Sequence, residues 1–175
     1  KIETRIGPLD LEDSSMTEAR LISQFGEGYV QLDKYGNEVL DNNHVYYVSD
    51  AKVWVEVSFS HVLDENLQRY IEAILVTKTK LCDEKFQSKK PFGPLTTSKG
   101  IRIGDSIDKV ISAYGKPAIS INIDKDRLFS PLVEDLKLQK GRILRYDTNQ
   151  PSELYFVEFY FNGKGLHSLL ISESE

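Results

Sequence analysis

The chain has 175 residues, of which 40% are hydrophobic and 28% charged, with 22 basic and 27 acidic side chains and a net charge of −5. That is enough apolar material for one ordinary core or two small fused ones, and it excludes a collagen-like or disordered chain. Residues 1–80 hold 8 basic and 14 acidic groups, net −6, against +1 for the remainder, and no Lys/Arg stripe offers a track for a phosphate backbone, so nucleic-acid binding is set aside.

The first predicted element is a helix over 17–26. Leu21, Ile22 and Phe25 fall at i, i+1 and i+4 and make one apolar stripe, Thr17 supplies cap chemistry, and Gly26 stands where a left-handed C-terminal residue is expected. β-rich runs follow at 29–32, 44–49, 53–60 and 71–78, with a turn at Lys34-Tyr35-Gly36-Asn37. The stretch 83–98, rich in Lys, Ser, Thr and Pro, has little periodicity, and Pro91 and Pro94 disfavour regular structure, so it reads as a linker crossing the surface. A second helix is predicted at 106–115, where Val110, Ile111 and Tyr114 repeat the stripe with Ile107 one turn earlier, between cap residues Asp105-Ser106 and Gly115. Strands are then expected at 119–123, 143–147, 154–161 and 166–172, the last two joined through Asn162-Gly163-Lys164-Gly165. Between the first two of these, Ser130 as cap and Pro131 at the first position mark a short helix over 130–136.

The chain also resembles itself. Thr4-Arg5-Ile6-Gly7 is echoed by Ile101-Arg102-Ile103-Gly104 at an offset of 97, and the two helices align at 89. Val53–Phe59 aligns with Tyr155–Phe161 at 102, and 71–77 with Leu166-His167-Ser168-Leu169-Leu170-Ile171-Ser172 at 95. Collinear matches within so narrow a band of offsets predict two copies of one unit, at 1–80 and 97–175, joined by a linker at 81–96. The expected fold is therefore α+β: two tandem repeats, each a helix followed by an antiparallel sheet, with the sheets forming a shared concave face.

Strand alternation separates the faces of that sheet. Val53, Val55, Val57 and Phe59, with Tyr155, Val157, Phe159 and Phe161, are the natural partners of the helix stripes. The opposite face would carry Trp54, Glu56 and Ser58 in one copy and Phe156, Glu158 and Tyr160 in the other, with Leu75 and Leu170 beside them. Two readings of this face stand. Either the linker or the insertion at 130–139 folds over it and makes a second core, or it is an open recognition surface. In the second case Trp54, Phe156 and Tyr160 are aromatic anchors, Leu75 and Leu170 complete the apolar patch, and Glu56 and Glu158 select for charge. An acidic first half favours a basic patch on the partner.

His44, His61 and His167 show no metal-ligand spacing, and each reads as a surface or strand-end imidazole. Ser60-His61 and His167-Ser168 lack a nucleophile elbow, and the glycines match no phosphate-binding loop. Cys82 is the single cysteine, so no internal disulfide forms, and no neighbouring His or helix start is placed to activate it. Asp10-Leu11-Glu12-Asp13 departs from a calcium-loop pattern and reads as a solvated loop, and in Asp124-Lys125-Asp126-Arg127 each carboxylate has a neighbouring cation. Glu56 and Glu158 remain as a carboxylate pair, but their equivalent places in a repeat point to symmetry before acid–base chemistry. The sequence thus predicts no catalytic residue, no metal and no cofactor.

The run 100–117, from Gly100-Ile101-Arg102-Ile103-Gly104 through Ala113-Tyr114-Gly115-Lys116-Pro117, resembles the opening of the helix-then-sheet unit of the SmpA/OmlA (BamE) outer-membrane assembly lipoproteins. Duplicated, the unit is similar in architecture to the β-lactamase inhibitor protein family, from which this chain departs in having one cysteine where that family braces its repeats with disulfides. The resemblance implies a bacterial periplasmic or secreted protein that binds other proteins and catalyses nothing. The alternatives are an inhibitor or immunity-type protein that blocks a secreted enzyme or toxin, and an enzyme with an unmarked carboxylate site. No apolar run reaches the ~20 residues of a membrane span, and the start at Lys1 fits a processed product whose signal or lipid anchor would lie upstream.

Overall fold

The computed structural model describes residues 3–30, 43–60, 63–124, 130–147 and 155–173. The predicted turn at 34–37, His61 and residues 125–127 lie outside the described residues.

Both long helices form where their caps place them. Helix α1 spans Glu18–Phe25, where the Thr17 hydroxyl accepts from the Arg20 N–H and Gly26, at φ 84°, returns its own N–H to the Ile22 carbonyl. Helix α2 spans Ile107–Tyr114, with Ser106 accepting from the Lys109 N–H and Gly115, at φ 82°, closing onto Ile111. Each hydroxyl satisfies one of the helix's orphan donors, and each glycine takes a conformation that would strain an L-residue. The short helix α3, Pro131–Asp135, starts on Ser130 with Pro131 in the first turn, as its sequence requires.

A two-stranded hairpin, β1 (Arg5–Ile6) and β2 (Leu9–Asp10), opens the chain. Gly7 makes the turn at φ 57°, where a Cβ would come within 2.9 Å of the Pro94 carbonyl oxygen. The remaining strands are β3 (Tyr29–Val30), β4 (Asn43–Val48), β5 (Val53–Phe59), β6 (Ile71–Thr77), β7 (Ile119–Asn122), β8 (Arg142–Asp147), β9 (Tyr155–Phe161) and β10 (Leu166–Glu173). They form one antiparallel sheet in the order β3-β4-β5-β6-β10-β9-β8-β7. The order runs outward from the β6–β10 pair in both directions, so each half of the chain contributes one long helix and four strands, and the last strand of each half meets the other at the centre.

The helix side of the sheet holds the main core. Leu21 and Phe25 of α1 and Val110 of α2 pack with Val53, Val55, Val57, Phe59, Val157, Phe159 and Phe161, as the strand alternation predicts. Each half closes its helix onto the sheet by the same hydrogen bond. The Tyr46 hydroxyl on β4 donates to the Gly26 carbonyl at 2.6 Å, and the Tyr146 hydroxyl on β8 donates to the Gly115 carbonyl at 2.9 Å. Burial raises the pKa of both phenols, so both stay neutral donors.

The stretch expected to be a surface linker is pinned at intervals. The Phe86 carbonyl accepts from the Tyr47 N–H at 2.8 Å, the Lys89 N–H donates to the Phe25 carbonyl, and Phe92 stacks on Phe25 with ring centroids 4.4 Å apart. Leu95 is also buried, and the Gly7 N–H donates to the Thr96 carbonyl. The strap therefore passes the β4 edge and ends in the main core. A buried phenylalanine is worth about 1.5–3 kcal/mol against the roughly 1–2 kcal/mol per residue that ordering the segment costs, so Phe92 and Leu95 offset a part of that entropy.

Candidate functional site

The outer face of the sheet has the register that alternation predicts. One row across it reads Val45, Glu56, Leu75, Leu170, Glu158 and Arg145, with Glu56 opposite Leu75, Leu75 opposite Leu170 and Leu170 opposite Glu158. Glu56 and Glu158 thus lie symmetrically about the central pair, three strand spacings or ~14 Å apart.

The structure corrects the expectation that this face is open. Trp54, Leu75, Phe156, Tyr160 and Leu170 are all buried, Trp54 being the most accessible of them at 7%. Both candidate covers are used. Leu132 of α3 seals Leu75, Phe156, Tyr160 and Leu170 together with Val133, Leu136 and Leu138. Cys82, Leu81 and Phe86 of the strap pack with Trp54 and Val45, and the indole N–H donates to the Cys82 carbonyl at 3.1 Å. Two small cores therefore occupy the place of the aromatic recognition surface. Large exposed apolar patches are costly, and the residues following Ser130 carried apolar side chains able to remove this one from water.

Glu158 is put to structural use. Glu158, 1% exposed, accepts through Oε2 from the Ser130 hydroxyl at 2.7 Å and from the Leu132 N–H at 3.4 Å, so it anchors the start of α3. Its Oε1 has no hydrogen-bond partner and lies 3.7 Å from an Arg145 guanidinium nitrogen. That guanidinium stacks 4.0 Å above Phe156 and bonds Asp147 at 2.6 Å. Burial raises the Glu158 carboxyl above its ordinary range, against the lowering pull of Ser130, Leu132 and Arg145. Glu56 is partly buried, and burial followed by the charge of Asp135 pushes its carboxyl up to about 7.

The histidines and the thiol also have local roles. His44 is buried, not on the surface: its Nε2 lies 2.9 Å from Glu18 and its Nδ1 2.6 Å from the Glu27 carbonyl, which fixes β4 to both ends of α1. His167 is partly buried and its Nδ1 lies 2.8 Å from the Ser168 hydroxyl. Cys82 is buried with its pKa raised by desolvation, the opposite of an activated nucleophile. Among the described residues no three His, Cys, Asp or Glu side chains are grouped to hold a metal ion, and no helix is long and apolar enough to cross a membrane.

Two exposed leucines lie in the loop between β5 and β6. Leu63 and Leu67 are 43% and 73% exposed. Leu67 sits at φ 58°, a left-handed conformation that costs an L-residue roughly 1–2 kcal/mol. Residues 64–70 of it are nonetheless fixed. Asp64 Oδ1 accepts from the Asn66 and Gln68 N–H groups at 2.8 Å each, and Oδ2 accepts from the Tyr70 hydroxyl at 2.6 Å. The Tyr70 hydroxyl and these N–H groups hold the Asp64 carboxyl below its usual range. A strained leucine is thus presented to solvent on a locked turn beside Asp64 and Glu65. Sequence reasoning passed over it, although Asp64-Glu65-Asn66 followed by a lone leucine is an apolar residue in a turn that ordinarily needs none.

No family model matches the chain, and no characterised protein or solved structure is significantly similar to it.

Proposed function

We propose that the protein is a non-catalytic protein-binding module of the bacterial cell envelope or secreted space, built as a tandem duplication of a helix-plus-four-strand unit of the SmpA/OmlA kind. The duplication is supported by the symmetry of the two halves about β6 and β10, and by the matched caps and tyrosine hydrogen bonds of α1 and α2. The contact surface is the β5–β6 loop in place of the covered aromatic face. Leu67 is its anchor, Leu63 flanks it, and the partner offers an apolar pocket with a basic rim facing Asp64 and Glu65.

The observation that carries this reading is the exposed, left-handed Leu67 on an Asp64-locked turn. Backbone strain persists where the surroundings impose it, and it concentrates where a side chain must be aimed. Preorganising an anchor lowers the ordering cost of association. A projecting apolar tip also suits insertion into a concave enzyme site, which keeps the inhibitor or immunity-type reading as the particular form such binding would take.

A photo-crosslinking side chain placed at position 67 tests the proposal in envelope and culture-fluid extracts. A discrete crosslinked partner that disappears with Leu63→Asp is expected. The reading is overturned if position 67 yields no partner while a crosslinker on the opposite end of the molecule, at Lys164, does.

A further inference from the structure

The other opening in the surface lies at the seam of the two halves and is independent of the β5–β6 loop. A cleft of about 970 Å³ is bounded by the β4–β5 turn, the strap and the residues leading into α2. Its floor is Val53 and Val76, side chains of the main core, with Ile103 on the wall. The volume is that of sites that enclose small organic ligands.

Its charge is opposite to that of the protein. Lys78, Lys89 and Arg102 all line the cleft, all are exposed, and none has an ion-pair partner among the described residues. Of the two carboxylates there, Asp105 is engaged by the Lys109 ammonium at 2.9 Å and by the Arg102 N–H at 2.9 Å. Counting Lys109, four cations face the two carboxylates Asp50 and Asp105, the latter also drawn to the Arg102 charge. In a chain of net charge −5, and beside the half that carries the acidity, such a local excess of positive charge marks a place for an anion.

We infer that this cleft binds an organic anion with an apolar body: the acidic head lies among Lys78, Lys89 and Arg102, and the body lies over Val53, Val76 and Ile103. The three cations come from the end of β6, the strap and the approach to α2, so the site exists only when the strap is docked across the seam. Cations spaced around the rim and an apolar floor are complementary to an amphiphile, and the mixed lining discriminates against a neutral molecule of the same shape.

The test uses the whole chain with anilinonaphthalenesulfonate as a fluorescent probe, displaced in parallel by octanoate, octyl phosphate and the neutral octyl glucoside. The expected result is saturable binding of the probe and displacement by one or both anions. Displacement by octanoate alone identifies a carboxylate head and by octyl phosphate alone a phosphate head, while octyl glucoside displaces neither. Lys78→Gln, Lys89→Gln and Arg102→Gln combined should weaken anion binding about tenfold or more, and salt near ~1 M should do likewise. Ala51→Trp, which fills the cleft from an exposed rim position, should abolish probe binding with unchanged circular dichroism. The proposal is overturned by displacement with octyl glucoside equal to that with the anions, by equal anion affinity in the triple variant, or by probe binding that survives Ala51→Trp.

Discussion

Replacing Glu56 by glutamine should make the protein more stable in mild alkali and leave it nearly unchanged in mild acid. The carboxyl lies partly buried on the outer face, and burial together with the charge of Asp135 raises it from its ordinary 4.5 to about 7. A group raised in the folded state contributes stability that is present below its unfolded pKa and lost as the pH rises through its folded one. The loss therefore falls between about pH 4.5 and 7. At 1.36 kcal/mol per pKa unit the ceiling is about 3 kcal/mol at pH 8, and water reaching a partly buried group reduces it to roughly 1–2 kcal/mol. For a chain of this length that is about 2–8 °C in melting temperature. Glu56→Gln stays neutral throughout, so thermal melts at pH 4 and pH 8 should show its advantage only at pH 8. Asp135→Asn should recover a smaller part of the same gain by removing the second cause. A Glu56→Gln shift of equal size at both pH values, or one that favours the wild type at pH 8, would refute the reasoning.

Three further sets of substitutions test the architecture. Glu158→Ala removes the anchor of α3 while Arg145 keeps its closer ion pair with Asp147, so it should cost about 1–3 kcal/mol in urea denaturation and speed amide exchange across 132–138. Trp54, Phe156 and Tyr160 changed together to alanine should abolish cooperative melting, because each truncation of a buried aromatic costs about 3–5 kcal/mol and a domain has about 5–15 to lose; an intact melt would restore the open-face reading. Tyr46→Phe and Tyr146→Phe should each cost about 1 kcal/mol and act additively in chemical denaturation, since they remove equivalent bonds in separate halves.

Much of the fold was legible because its signals are local. Thr17, Ser106 and Ser130 name their helix starts, Gly26 and Gly115 name two ends, and period-two alternation assigned Val53 through Phe59 and Tyr155 through Phe161 to the correct faces. Alternation says which face a side chain takes and nothing about what lies over that face, so the burial of Trp54 and Tyr160 depended on contacts made by distant residues such as Leu132 and Phe86. The strap escaped for a related reason: Phe86, Phe92 and Leu95 follow no period, since each meets a different surface as the chain passes the sheet edge. The hairpin of β1 and β2 has two residues per strand, too few to alternate. Tyr46 and Tyr146, an offset of 100 apart, fall between the blocks of sequence that resemble each other, where the differing offsets blur the alignment. The cleft cations at 78, 89 and 102 come together only through the seam, and no local pattern links them.

The claim that the molecule recognises a protein through a strained, presented leucine is tested most directly by Leu67→Gly. Glycine adopts φ 58° without steric cost, so the account predicts a melting temperature equal to or above that of the wild type. Loss of the anchor should at the same time weaken titration against the partner identified at position 67 by about tenfold or more. A variant of unchanged stability that binds the partner as tightly as the wild type would contradict the account.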